Sequence, residues 1–242
     1  MVRAGRPPQD PARRLERAHR ILDAATELVL RWGYDKTTID DVSKRAGVAK
    51  GTIYLHWKTR DDLFAALLRR ERVRMLADVR ARGPATLSGL YGEFARALLG
   101  RPLLSAFMRG DSEVLGKFAR QKQQAGSPPG LEEPLDAYVA ELVKRGAVRE
   151  EMGDHVRVAN SVLYGFLFLP DRRPDEPRPS DDRIAELVAD TIERAMSTGR
   201  TLSGDDADAV ARATLDLLDA VEEIAQRRLA ASMGDSKSSR SV

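Results

Sequence analysis

The 242-residue sequence contains no cysteine, and this absence excludes several kinds of protein. Disulfide-stapled folds, cysteine zinc ribbons and thiol catalysis all depend on that residue. Long apolar runs are also missing, since the longest candidate, VLYGFLFLP from Val162, falls well short of the roughly 18 residues of a membrane span. The first residues, MVRAGRPPQDPARR, are polar and basic and lack the apolar centre of a secretory signal. We therefore expect a cytoplasmic protein.

Recognisable catalytic motifs are absent as well. The sequence has no G-x-S-x-G, no H-E-x-x-H and no phosphate-binding glycine loop. Its three histidines, His19, His56 and His155, lie far apart in the chain, and we expect His19 and His155 on the surface. We expect neither an enzyme nor a metal site, and nothing in the sequence calls for a cofactor.

Positive charge is concentrated in the first third of the chain. Residues 1–80 contain 18 Lys and Arg against 11 Asp and Glu, a net of +7, whereas the remainder carries a net of −4. This asymmetry is typical of a nucleic-acid-binding head joined to a body with another role. Chance surface composition would give the same balance, so charge alone does not decide between the two.

Apolar residues recur at helical spacing along nearly the whole sequence, and no segment shows sustained period-two alternation. A long first helix ending near Gly33 is indicated by Leu15, Ala18, Ile21, Leu22, Ala25, Leu28, Val29 and Trp32. Further helices are predicted over 59–82, 85–99, 103–109, 111–125, 132–146, 153–169, 181–198 and 205–232. An all-α fold follows, with an exposed Pro-rich loop at 170–180.

The stretch TTIDDVSKRAGVAKGTIYLHW, residues 37–57, predicts two short helices joined by a tight turn. Thr38 can cap the first helix together with Asp41, and Gly47 suits a turn that needs a positive φ. In the second helix Ile53 and Trp57 share one face and would point into a core. The opposite, outer face would then carry Lys50, Gly51 and Tyr54, flanked by Thr52 and His56.

Such an outer face has the chemistry of a helix-turn-helix DNA reader. Lys50 can reach guanine edges or a phosphate, and Thr52 can meet a base edge. Tyr54, His56 and the following Arg60 suit phosphate oxygens, which fix register without reading sequence. The alternative is an ordinary helical hairpin with a solvated polar face.

Residues 12–63 resemble the DNA-binding head of the tetracycline-repressor (TetR) family of bacterial regulators. The family pattern appears here as GYDKTTIDDVSKRAGVAKGTIYLHW followed by TRDDL. Three positions depart from it. Ala49 stands where Ser or Thr is common, which would remove a helix cap and one phosphate contact, while Trp57 replaces Phe and Arg60 replaces Lys. The resemblance implies that Thr38, Lys50, Gly51, Thr52, Tyr54, His56 and Arg60 bind DNA.

The resemblance also implies a division of the chain. We expect a flexible basic arm at 1–10, a three-helix DNA-binding head at 11–58, a larger helical effector-binding and dimerisation domain at 59–232, and a disordered tail at 233–242. In the arm, Arg3 and Arg6 could follow a DNA minor groove, or the segment could make no specific contact.

The body offers candidates for two further roles. An apolar, aromatic effector cavity would be lined by Leu87, Tyr91, Phe94, Phe107, Met108, Phe118 and Tyr138, although the same residues could simply form a core. The segment GAVREEMGDHVRVANSVLYGFLF resembles the approach to the dimer-forming helices of the family. It implies an interface of Val156, Ala159, Leu163, Phe166, Leu187, Val188, Thr191 and Ile192, the alternative being packing of these faces within one protomer.

The sequence therefore predicts a homodimeric, DNA-binding transcriptional regulator. Its expected behaviour is that of a repressor that leaves a palindromic operator when a small hydrophobic or amphipathic ligand binds. One alternative is a regulator of the same fold without an effector, either constitutive or controlled by a protein partner. Another is a nucleoid protein that binds DNA without sequence preference.

Overall fold

The computed structural model describes residues 10–111, 130–168 and 179–233. Over these ranges the chain is helical and contains no strand, which confirms the predicted all-α fold. The helices are α1 (Pro11–Trp32), α2 (Ile39–Ala46), α3 (Lys50–His56), α4 (Arg60–Ala81), α5 (Leu87–Leu99), α6 (Pro102–Arg109), α7 (Glu132–Lys144), α8 (His155–Phe168), α9 (Asp181–Met196) and α10 (Gly204–Ser232). None of these helices is long and apolar enough to cross a membrane.

Several predictions fall outside the described residues. They concern the basic arm with Arg3 and Arg6, and, apart from end residues, the helix at 111–125, the loop at 170–180 and the tail at 233–242. For the remaining helices the predicted and observed bounds agree closely, because caps and glycine turns mark most of their ends.

The head is a three-helix unit whose core continues into α4. Asp10 caps α1 by accepting a hydrogen bond from the Ala12 amide. Helix α1 then buries the predicted apolar stripe from Ala18 to Val29 against α2 and α3, whereas Leu15 and Trp32 at the ends of the stripe are 49 % and 41 % exposed. Leu63, Phe64 and Leu67 of α4 belong to the same buried cluster. The head core thus extends about two turns beyond the boundary expected at residue 58.

Arg70 joins α1 to α4 beneath this core, with only 2 % of its side chain exposed. Its Nη1 lies 3.1 Å from the His19 carbonyl oxygen and 2.8 Å from Asp23 Oδ1, and its Nη2 donates to Thr26 Oγ1 at 3.2 Å. A buried guanidinium that loses these partners would be strongly destabilising. Arg70 therefore fixes the angle at which the head meets the long helix.

The body is built around the close packing of α5 on α9. Gly92 of α5 permits this approach, because a Cβ there would lie 3.1 Å from the Ala189 side chain. Val188 and Ile192 of α9 are fully buried in the same core. This tight contact orders one wall of the body and occupies one face of α9.

The last helix, α10, runs from the body to the head. Its middle lies along α4, where Asp219 pairs with Arg80 near the C-terminal end of α4. At its own C-terminal end Met233 packs against the head core. The two helices are therefore antiparallel, and α10 docks on the body of its own protomer.

The predicted dimer stripe needs correction. Ala159, Val188 and Ile192 are buried within the protomer, and Val156 and Leu163 border the internal cavity described below. Packing within one protomer, the alternative interpretation, accounts for the three buried residues, and the dimer assignment of the others stays a prediction. The predicted residues left with surface toward the outside are Phe166, Leu187 and Thr191.

Candidate DNA-binding surface and effector cavity

The start of α2 is fixed by the predicted capping box. The Asp41 amide donates to Thr38 Oγ1 at 3.2 Å, and the Thr38 amide donates to Asp41 Oδ2 at 3.1 Å. The Thr38 hydroxyl also donates to Asp41 Oδ2 at 2.6 Å, and this bond, followed by the bond from the Thr38 amide, lowers the pKa of the Asp41 carboxyl. Gly47 then ends α2 with φ 65°, in the left-handed region that glycine adopts at little cost. The helix-turn-helix geometry thus rests on a few neighbouring residues.

The orientation of α3 agrees with the predicted orientation. Ile53 and Trp57 are buried, with 0 % and 2 % of their surface exposed. Lys50, Gly51 and Tyr54 are exposed, and Thr52 is half-buried beside them. Donors and a glycine therefore share one accessible face of a short helix, the arrangement required for insertion into a major groove.

Two small residues at the start of this helix bear on DNA approach. Ala49 occupies the cap position and provides no side-chain hydrogen bond, so the capping contact that the substitution was expected to remove is absent. Gly51 has nothing within 4 Å of the position a Cβ would take. Since the protein itself does not require glycine at 51, the need for a small residue there would come from a molecule outside it.

His56 does not lie on the outer face, contrary to the prediction. It is only 8 % exposed, because it follows Ile53 by three residues and so turns toward the core side of α3. Burial lowers its pKa, and the positive charges of Arg14 and Arg17 lower it further, whereas a backbone hydrogen bond to Met233 raises it. His56 thus lies at the contact between the head and the end of α10 rather than at the predicted phosphate site.

Arg60 is already engaged within the head. Its guanidinium lies over the ring of Tyr34 at 4.1 Å and donates to the Thr37 carbonyl oxygen at 3.3 Å. The Tyr34 hydroxyl in turn donates to Asp61, and burial together with this bond raises the pKa of Tyr34 to about 12. These contacts tie the start of α4 to the segment before α2, and contact of Arg60 with phosphate stays a prediction.

The body contains a cavity of about 730 Å³ between α4, α5, α6, α7, α8 and α10. This volume lies within the range of about 300–1,000 Å³ that is usual for small-molecule sites. Six of the seven predicted effector residues border it, namely Leu87, Tyr91, Phe94, Phe107, Met108 and Tyr138. The seventh, Phe118, lies outside the described residues.

Two tyrosine hydroxyls on the cavity wall already have partners. Tyr91 donates to Asn160 Oδ1 at 3.0 Å, and the Tyr138 hydroxyl lies 3.1 Å from Thr214 Oγ1. Burial raises the pKa of both phenols, that of Tyr138 to about 12. Both therefore stay neutral at ordinary pH and contribute polarity without charge.

His155 also borders the cavity and is buried, which corrects the expectation that it lies on the surface. Its Nε2 is 2.8 Å from the Arg149 carbonyl oxygen. A carbonyl can only accept, so Nε2 carries the hydrogen in this contact. His155, the first residue of α8, therefore belongs to the buried part of the cavity wall.

Three arginines on the cavity wall were not singled out from the sequence: Arg69 and Arg72 of α4, and Arg228 of α10. The signal available was their spacing. Arg69 and Arg72 lie one turn apart and share a helical face with Leu68, Met75 and Leu76, which also border the cavity. An arginine-rich exposed helix would give the same pattern, so only the fold distinguishes the two.

Comparisons with known proteins agree with this geometry. The family model for bacterial regulatory proteins of the tetR family matches residues 21–67. The match ends at Leu67, the last residue of α4 that is buried in the head core. The fatty acid metabolism regulator protein of Bacillus subtilis is 28 % identical over 61 % of this chain and 77 % of its own length. An uncharacterized HTH-type transcriptional regulator of Mycobacterium tuberculosis is 30 % identical over 62 % of this chain and 78 % of its own length.

The architecture also matches a solved structure. A protein from Mesorhizobium loti described as a TetR-family transcriptional regulator superposes with a TM-score of 0.52 at 20 % identity, over 77 % of this chain and 99 % of that one. At this identity the likeness supports the fold alone. Together with the 30 % identical relative and the matched head, it shows that this chain belongs to the TetR family of bacterial transcriptional regulators, with a helix-turn-helix DNA-binding head.

Proposed function

We propose that this regulator is a homodimeric repressor that leaves a palindromic operator when a small apolar or amphipathic molecule fills the cavity. The observation that carries this proposal is the course of α4. Its first turns place Leu63 and Leu67 in the head core, and its later turns place Met75 and Leu76 on the cavity wall. One rigid helix therefore borders both sites, so a ligand that displaces it also displaces the head.

The DNA-facing surface in this proposal consists of Lys50, Gly51, Thr52 and Tyr54, with Thr38 at the cap of the preceding helix. Two such heads would enter successive major grooves on one side of the duplex. The ligand would act by binding better to a dimer whose head spacing no longer fits the operator, because only such differential affinity shifts an equilibrium.

The dimer contact in this proposal involves the outward sides of α8 and α9. Phe166 of α8 is 38 % exposed and does not border the cavity. Large exposed aromatics are common at interfaces between subunits. Leu187 and Thr191 of α9 retain accessible surface and would complete the contact.

The cavity bears on the competing expectation of a regulator without an effector. Such a protein has no need for a cavity between its helices, whereas this body has an open cavity of ligand size with a largely apolar wall. The name of the Bacillus subtilis relative also places that protein in metabolic control. Both observations support an effector of small-molecule size.

The test is a binding experiment with DNA fragments from upstream of the regulator's own gene and of its neighbours. We expect nuclease protection of one palindromic site, and a reduction of at least about tenfold in affinity, or 1.4 kcal/mol, with a ligand that raises the melting temperature. Binding to every fragment with a steep salt dependence would instead indicate a nucleoid protein. Operator binding that no stabilising ligand alters would favour the regulator without an effector.

A further inference from the structure

Three positive charges border the cavity where α4 and α10 face each other. Arg69 and Arg72 project from α4 and Arg228 from α10. None of the three forms an ion pair or a side-chain hydrogen bond with any residue in the described part of the chain.

Neighbouring arginines on the same helices behave differently. Arg70 and Arg74 of α4 both pair with Asp23, and Arg227 of α10 pairs with Glu223. The lack of a carboxylate partner therefore distinguishes these three arginines from their nearest arginine neighbours on the same helices.

The electrostatic surroundings of Arg69 and Arg72 agree with their lack of an ion-pair partner. Although Arg72 keeps accessible surface beside the cavity, burial among protein atoms lowers its pKa, and the charge of Arg228 lowers it further. The same two causes lower the pKa of Arg69. Like charges held close together, with Arg69 and Arg72 partly desolvated, are unfavourable unless something else compensates them.

The opposing groups nearby are insufficient for that compensation. Asp62 raises the pKa of Arg69, but its carboxylate accepts a hydrogen bond from the Thr59 amide at 3.1 Å in the cap of α4. Tyr164 faces Arg72, and burial raises the pKa of its phenol, so it is neutral at ordinary pH. An anion entering the cavity would meet donors that no protein group has taken.

The remainder of the cavity wall has the opposite character. Leu87, Leu90, Phe94, Leu135 and Leu218 line it and offer apolar surface only. A small inorganic anion would leave that surface uncovered, and a pure hydrocarbon would leave the guanidinium groups uncompensated. A molecule with an apolar chain and one anionic end satisfies both parts.

We infer that the effector is a single-chain amphiphile with an anionic head group, a carboxylate or a phosphate, bound by Arg69, Arg72 and Arg228. This inference rests on the proposed effector function of the cavity. Guanidinium groups suit both anions, since their planar N–H donors match two oxygens at once. The apolar chain would lie against the leucine and phenylalanine side chains of α5, α7 and α10.

The position of the arginines links this ligand to the head. Arg69 follows Leu67 of the head core by two residues, and Arg228 precedes Met233, which packs on the head, by five residues or about 7.5 Å of helix. An anion held between them would draw α10 toward α4 where both helices reach the head. The charge of the ligand would thus act on the geometry of the head, while its chain supplies most of the buried area.

The experiment compares three probes with the same chain: dodecanoate, dodecyl phosphate and 1-dodecanol, each below its micellar concentration. Affinity for the full-length protein is measured by isothermal titration calorimetry, and release from operator DNA by fluorescence anisotropy. We expect at least one of the anions to bind about tenfold or more tightly than the alcohol, and the better of the two identifies the head group. Arg72→Gln and Arg228→Gln should each remove most of this preference, whereas the control Arg227→Gln should keep it.

Folding of the variants provides a second measurement. Because Arg72→Gln removes an uncompensated charge, the ligand-free variant should melt at the same temperature as the parent protein or higher. Equal affinity for the alcohol and both anions, or an anion preference that survives in both arginine variants, would refute the anionic site and leave the effector function intact. No binding of any of the three probes would count against the amphiphile itself, and a wider panel of ligands that also fails would count against the effector function.

Discussion

The head and the body of this regulator are stabilised by interactions of different range. In the head, the caps that begin α2 and α4 join residues close in sequence, Thr38 with Asp41 and Thr59 with Asp62. In the body, the hydroxyl of Tyr91 finds its partner 69 residues away at Asn160, and that of Tyr138 lies beside Thr214, 76 residues away. The helix ends of the head are therefore specified by local sequence, whereas the cavity exists only when distant helices meet.

The largest expected effect separates DNA recognition from folding. Replacing Lys50 and Tyr54 together by Ala should weaken operator binding roughly 1,000-fold, about 4 kcal/mol, because two DNA contacts of roughly 2 kcal/mol each are lost. Both side chains are exposed, so the melting temperature should stay within a degree or two of the parent. Fluorescence anisotropy and circular dichroism measure the two quantities.

The control for that variant is Lys144→Ala, which removes an exposed lysine from the body. It should bind operator normally. A double variant that still protects the operator at parental concentrations would show that α3 is not the reading helix.

The next effect concerns the junction between the two regions. Arg70→Met should lower the free energy of unfolding by about 3 kcal/mol, because the charge-assisted hydrogen bonds to Asp23, Thr26 and the His19 carbonyl oxygen are lost. The half-exposed neighbour Arg74→Gln serves as the control and should cost no more than about 1 kcal/mol. Urea unfolding followed by circular dichroism gives both values. A cost equal to that of the control would mean that Arg70 does not hold head and body together.

A smaller effect is expected at Gly51, where substitution by Ala should raise stability but lower operator affinity. Gly51→Ala should raise stability by up to about 1 kcal/mol, since Ala favours a helix and the added methyl meets nothing in the protein. Operator affinity should fall, because the methyl stands where the backbone of α3 approaches DNA. Gly47→Ala is the matched control: its Cβ is equally unobstructed, but φ of 65° makes the substitution destabilising. Unchanged DNA affinity in Gly51→Ala would show that position 51 does not approach the duplex.

The smallest effect is a pH dependence at the contact between α3 and the end of α10. The folded head lowers the pKa of His56 below its ordinary value of 6.5, so the unfolded chain binds a proton first as the medium is acidified. Stability due to this group is present above pH 6.5 and is lost as the pH falls through the lower, folded-state value. Thermal melting of His56→Gln between neutral pH and pH 5 should therefore show a shallower decline than that of the parent.

His19 has a lowered pKa for a similar reason, with burial first and then the charges of Arg70 and Arg74. The variant His19→Gln should therefore reduce the decline in melting temperature at low pH separately from His56→Gln. A decline that neither variant changes would assign the acid sensitivity of the protein to other groups.

The sequence predicts best those features that depend on contacts between residues close together in the chain. The spacing of Ile53 and Trp57 predicted the orientation of α3. The T-x-x-D pattern predicted that Thr38 and Asp41 cap the start of α2. The predicted position of His56 was wrong, although its spacing of three residues from Ile53 is a local signal for the core side of α3. Its contact with the end of α10, about 175 residues later, is one that no local pattern records. The bounds of helices were predictable because caps and glycines are local signals.

In the body, the same reasoning explains both success and error. Apolar composition correctly indicated residues such as Leu87 and Phe94 that border the cavity, since any internal surface of a helical domain is apolar. Val188 and Ile192 were misplaced at a subunit contact because the packing of α5 depends on the absence of a side chain at Gly92. The charges of Arg69, Arg72 and Arg228 become informative only when their helices are placed together.

The extension of the head core into α4 has a consequence for building hybrid regulators. Exchanging DNA-binding modules between family members requires a junction that cuts through as few packed side chains as possible. A junction after residue 58 would separate Leu63, Phe64 and Leu67 from the helices they pack against. A transplanted module should therefore retain α4 through Leu67, and the recipient must tolerate a new neighbour for Met233 at the end of its last helix.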